Sequence, residues 1–110
     1  MSGDICLVYV TAGSFEEARK ISETVVAERL AACANILGDI QAVFFWDGVV
    51  RREGEVALVL KTGRDMIDLL SARIVELHSY DEPCVVALPI IGGSSAFIDW
   101  VEAETRPLSP

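Results

Sequence analysis

From Ile5 to Val10 apolar and β-branched residues follow one another without the alternation of a strand that has one wet face. This pattern predicts a strand from Ile5 to Thr11 that is covered on both sides. Helical spacing comes next. Phe15, Ala18, Ile21 and Val25 recur behind Ser14, whose hydroxyl can cap the Glu17 amide while Glu17 reaches back. The helix is expected to run to about Leu30. Two long strand-like segments follow, Cys33 to Trp46 and Val49 to Thr62, joined by Asp47-Gly48, a pair that tolerates the positive φ of a tight hairpin turn. Gly38-Asp39 and Glu53-Gly54 are expected as bulges or bends inside that hairpin. Thr62 and Asp65 make a second capping pattern ahead of Ile67, Leu70, Ile74 and Leu77, which share one helical face. His78 falls at the end of this helix, where a cation would complement the dipole. The next strand is Cys84 to Leu88, confined to an edge or ended by Pro89. Gly92-Gly93 then turns the chain into a short helix, capped by Ser94 or Ser95, that carries Phe97, Trp100 and Val101.

The order strand, helix, two strands, helix, strand is the ferredoxin-like βαββαβ pattern of an α+β domain, here with a long central hairpin and an extra C-terminal helix. The first two helices can cover one sheet face. Ile5–Val10, Val56–Leu60 and Cys84–Leu88 are apolar on both. The open face must therefore meet another surface, and further copies of the same chain are the simplest cover. A single domain over residues 1–110 is expected, with 1–4 and 106–110 as loose tails.

Composition strengthens the case for association. The 110 residues are 52% hydrophobic, and the mean hydropathy of +0.41 is high for a small domain that stays monomeric. No apolar run approaches the ~20 residues of a membrane helix, and the start, MSGDICLVYV, has no basic segment ahead of its apolar stretch, so a cytoplasmic location is expected. A net charge of −8 argues against nucleic acid and makes cations the more natural ligands, although the same charge also keeps an apolar protein soluble. No membrane partner is expected either. The three cysteines Cys6, Cys33 and Cys84 show no CxxC spacing, so neither a disulfide framework nor a zinc knuckle is indicated.

Several chemistries lack their parts. No serine lies in a GxSxG elbow, and Gly92-Gly93-Ser94-Ser95 has no Walker lysine. Thr11-Ala12-Gly13-Ser14 offers no arginine cradle for an acylphosphatase, and the strands carry no aromatic cluster of the RNA-binding type. Cys33, Cys84 and His78 are ligand types suited to copper or zinc, but their spacing is not diagnostic of a site.

Taken in order, a set of segments resembles the CutA family of divalent-cation tolerance proteins. They are Val8-Tyr9-Val10-Thr11, Glu28 through Ile36, Phe45-Trp46-Asp47-Gly48, Glu55 through Leu60-Lys61-Thr62, His78-Ser79-Tyr80, Pro83, Ala87-Leu88-Pro89-Ile90 and Trp100. The resemblance covers about residues 5 to 104. It implies a homotrimer related in shape to PII signalling proteins, in which the long hairpin joins a neighbour's sheet. It also implies binding of, and response to, copper or another divalent cation, with no catalytic residues and no organic cofactor. By the same resemblance the site is a cleft between subunits, with Cys33 and His78 as metal ligands, Lys61 and Tyr80 beside them, and Trp46, Glu55 and Trp100 as walls. A PII-like signalling module that binds a small metabolite or anion through Lys61 and Tyr80 is the alternative. The chain departs from the family at Gly13 and Ser79, where proline is common, and at Phe45, where tyrosine is common.

Overall fold

The computed structural model describes residues 4–105. Strand β1 (Ile5–Ala12) leads through Ser14 into helix α1 (Phe15–Ala27), and β2 (Cys33–Trp46) and β3 (Val49–Gly63) form the hairpin. Helix α2 (Ile67–Leu77), edge strand β4 (Val85–Ile90) and helix α3 (Ser95–Glu104) complete the chain. The sheet order is β2-β3-β1-β4, and every pairing is antiparallel. This is the ferredoxin-like arrangement.

Local physics explains most boundaries. Ser14 Oγ accepts the Glu17 N–H at 3.1 Å, the cap expected for α1, but the Glu17 carboxylate does not close the reciprocal half of the box on Ser14 and accepts instead from the Gly13 and Ser79 amides. The helix stops three residues short of Leu30 because Arg29 adopts φ 64°, a left-handed conformation that ends a helix. Its guanidinium then donates to the Ala103 and Glu104 carbonyls, each at 3.2 Å, and so satisfies the end of α3. Asp47 (φ 52°) and Gly48 (φ 77°) make the predicted hairpin turn. A bulge lies between Ile36 and Gly38, at whose φ of 120° only glycine is comfortable. No interruption occurs at Glu53-Gly54, which pair in register with Ala42 and Gln41. The capping role given to Thr62 also fails. A 3-10 turn over Arg64–Met66 precedes α2 without a side-chain cap, and the Thr62 hydroxyl instead donates to the Leu30 carbonyl at 2.7 Å. Pro89 lies within β4, on the edge where its missing N–H costs nothing.

The core fills one face of the sheet. Val8, Val10, Ala12, Val56, Leu58 and Leu60 meet Ala18, Ile21 and Val25 of α1 and Leu70 and Ile74 of α2. Helix α3 packs Val101 and Ile98 onto Ile5 and Ala32 at one end of the sheet. The rest of the second face stays open: Val86 and Leu88 are 52% and 51% exposed there, and the hairpin tip presents Phe45 and Trp46. Asp4, expected in a loose tail, accepts the Arg64 N–H at 2.9 Å. Residues 1–3 and 106–110, the remainder of the expected tails, lie outside the described residues.

Candidate functional site

Strand register sorts the candidate residues to two poles of the open face. Cys33 lies opposite Lys61, and Lys61 lies opposite Leu7 near the start of β1. At this pole Lys61 Nζ donates to Asn35 Oδ1 and sits 5.9 Å from the Phe97 ring centre, while Phe97 contacts Trp100 at 5.6 Å. The second pole lies four residues further along β1, about 14 Å at ordinary strand rise. There, His78 Nε2 meets the Thr11 carbonyl at 2.8 Å, and the Tyr80 hydroxyl donates to Glu55 Oε2 at 3.1 Å. Cys33, Lys61 and Trp100 therefore come together, as do His78, Tyr80 and Glu55. The two groups do not meet within one chain.

His78 is not the exposed helix-end cation that its position suggested. Its side chain is fully enclosed. Because a carbonyl only accepts and an amide only donates, the contacts to Thr11 O and from Tyr80 N–H (3.1 Å to Nδ1) place the proton on Nε2 and leave Nδ1 as acceptor. A metal would have to displace the Tyr80 amide to reach Nδ1.

A groove of about 940 Å³ opens beside this pole, between the twisted hairpin and the segment after α2. Tyr9, Phe44, Trp46 and Tyr80 supply apolar wall, while Glu53, Glu55, Asp81 and Glu82 against Arg51 make it acidic. Cys84 also lines it. Tyr80 ionises above its ordinary range because of burial, its bond to Glu55 and the neighbouring carboxylates, so it remains a donor at neutral pH. Burial and Glu55 likewise push the Cys84 thiol up, against a bond with Thr11, which leaves it a poor thiolate unless a metal draws off its proton. Among the described residues, no three His, Cys, Asp or Glu side chains are grouped closely enough in one chain to hold a metal ion. Cys33 and His78 do not fit a shared ion within one subunit.

Sequence pattern marks Glu17 only as a capping partner of Ser14, and Glu53, Asp81 and Glu82 were not among the expected site residues. For Glu53 a signal was present: it is two residues from Glu55 in the same strand, which puts both acids on one face. Asp81 and Glu82 come from a loop whose approach to β3 only the fold reveals.

Comparison with known proteins is consistent across sequence and structure. The family model for the CutA1 divalent ion tolerance protein matches residues 6–104. The divalent-cation tolerance protein CutA of Thermus thermophilus is 38% identical over 99 residues, covering 90% of this chain and 96% of its own length. The chloroplastic CutA protein of Arabidopsis thaliana is 39% identical over 91% of this chain, which spans 55% of that protein. A CutA1 protein from rice is matched over 56% of its length, so the chain spans little more than half of these plant relatives. Among solved structures, Thermus thermophilus Cut A1 superposes with a TM-score of 0.91 at 37% identity, covering 93% of this chain and 99% of that one. Rice CutA1 superposes at 0.92 with 35% identity and covers 96% of each chain. With a family match over nearly the whole domain and the same fold in its relatives, the chain belongs to the CutA1 divalent ion tolerance family.

Proposed function

We propose that the chain works without catalysis, as a homotrimer that binds a divalent cation in clefts between subunits. Copper is the first candidate because Cys33 offers a soft ligand. The observation that carries this reading is the separation of the two poles across an open apolar face. Each pole is incomplete alone: one holds Cys33 and Lys61, the other an acidic groove. Contact between copies would cover Val86 and Leu88 and bring one subunit's Cys33 toward the next subunit's groove carboxylates. The number three comes from the family resemblance, as does the expectation that the hairpin joins a neighbour's sheet. The long outer edge of β2 is suited to such pairing.

Binding in such a cleft would lower the free ion concentration and so provide tolerance. A cytoplasmic setting fits the three free thiols, which would remain reduced there. His78 joins the coordination only when Nδ1 releases the Tyr80 amide, so Cys33 and carboxylates are the primary ligands. Copper titration by calorimetry, comparing wild type, Cys33→Ala and His78→Ala, tests this. Loss of binding in Cys33→Ala supports it; equal stoichiometry and affinity in all three proteins refute it.

A second reading is a PII-like signalling module that takes a small anion or metabolite. Lys61 favours it, because a neutral amide and an aromatic ring hold its ammonium. Thermal stabilisation by a carboxylate or phosphate metabolite, but not by metal, would select this reading over the first.

A further inference from the structure

Glu17 lies outside both poles, yet its carboxylate joins two loops that are far apart in sequence. Oε1 accepts the Gly13 N–H at 2.8 Å, and Oε2 accepts the Ser79 N–H at 2.7 Å. The first loop connects β1 to α1, and the second connects α2 to β4. Lengths this short are those of charge-assisted bonds. The side chain is only 14% exposed, and Oε2 also lies 3.8 Å from His78 Nδ1.

Tyr80 is the neighbour through which this matters. Its amide donates to His78 Nδ1, its ring packs on the imidazole at 4.7 Å, and its hydroxyl reaches Glu55 in the groove. The position of Tyr80 thus depends on the segment that Glu17 holds at Ser79. Gly13 closes the same assembly from the other side. A Cβ added there would lie 3.3 Å from Glu17 Oε1, so that the carboxylate would have to give by a few tenths of an ångström, and 3.4 Å from the Tyr80 hydroxyl, an ordinary contact.

We propose that Glu17 is a latch: by binding the Gly13 and Ser79 amides at once, it fixes Tyr80 as a wall of the acidic groove, and its release opens the groove on that side. Glu17 is a positioning residue that touches no ligand. Its effect passes through Ser79 and Tyr80 to Glu55. Opening is local, because the core on the far face of the sheet shares none of these contacts.

Two measurements on the full chain test the latch. Glu17→Gln keeps the size of the side chain but removes the charge and one good acceptor, with Glu16→Gln as control for loss of a surface acid on the same turn. Amide hydrogen exchange should accelerate on the order of tenfold at Gly13, Ser79 and Tyr80 in Glu17→Gln, with β1 and β3 amides unchanged. Ultraviolet titration should show one tyrosine ionising at lower pH than in the wild type as Tyr80 leaves Glu55. Gly13→Ala, which crowds the latch without altering its charge, should give the same local pattern. Wild-type exchange at Ser79 and Tyr80 in Glu17→Gln, or equal acceleration of all amides, would overturn the proposal. So would an unchanged tyrosine titration.

Discussion

Replacing His78 by alanine should cost about 3.5–4 kcal/mol of stability, even though the residue can also be considered as a metal ligand. The imidazole joins β1 to the segment after α2 through two bonds, Nε2–H to the Thr11 carbonyl at 2.8 Å and Nδ1 from the Tyr80 amide at 3.1 Å. Alanine leaves both backbone groups without those partners. A buried group so orphaned costs about 1–3 kcal/mol; the enclosed Thr11 contact belongs near the middle of that range and the part-buried Tyr80 amide, which water can reach, at its lower end. Loss of the tilted contact with the Tyr80 ring adds ~0.5–1 kcal/mol. Urea unfolding followed by far-ultraviolet circular dichroism, at one fixed protomer concentration because assembly would couple to stability, measures the sum. His78→Asn, whose amide oxygen can still accept from Tyr80, should fall between wild type and alanine. A loss below about 1 kcal/mol in His78→Ala would refute the assignment of the ring as a structural pin. The result also governs the metal experiment, since a weakened fold lowers apparent affinity without any loss of a ligand. Cys33→Ala is the cleaner probe.

Three further outcomes are expected. Thr62→Val keeps the shape but strips the hydroxyl bond to the Leu30 carbonyl, and should cost about 1–2 kcal/mol in the same urea assay. Leu88→Glu puts a charge on the open face, where the native side chain is 51% exposed in a single chain; light scattering after size exclusion should show the proposed trimer replaced by monomer, and an unchanged mass would show that this face is not an interface. The third concerns acid. Burial raises the Glu17 carboxyl, but bonds from the Gly13 and Ser79 amides outweigh it and hold the group below its ordinary value of 4.5. A lowered folded value means that the stabilisation is complete above the ordinary carboxyl range and disappears as pH falls through the folded value. The stability difference between wild type and Glu17→Gln should therefore be constant near neutrality and vanish in acid; a difference independent of pH would contradict the cause assigned to the shift.

Much of the fold was legible because its signals are local. Ser14 ahead of Glu17 is a cap whatever the tertiary context, and Asp47-Gly48 satisfies a positive-φ turn by side-chain identity alone. The doubly apolar β1 announced an open face before the sheet was visible. Arg29 shows what was not legible. Arginine does not advertise a left-handed conformation, and its reward, the carbonyls of Ala103 and Glu104, lies some seventy residues away. Thr62 misled for a related reason: a threonine before a helix reads as a cap, yet its hydroxyl meets Leu30 across the fold.

The candidate site was legible as a list of residues and not as an arrangement. Spacing in sequence could not show that Cys33 and His78 fall at opposite poles, because strand register places Cys33 level with Leu7 while the bond to the Thr11 carbonyl places His78 at the other end of β1. Nor could it show how the two missing prolines are offset. Proline has no N–H, whereas Gly13 and Ser79 each have one, and both donate to the same carboxylate. A rigid ring at each loop is thus replaced by one shared anion between them, a constraint that acid or a single substitution can remove. The consequence for function is specific: the groove wall at Tyr80 depends on a titratable group in this chain, so release of the latch should by itself weaken cation binding in the proposed cleft. Glu17→Gln isolates this effect, because it opens the wall at neutral pH without altering Glu53, Glu55, Asp81 or Glu82, which line the groove.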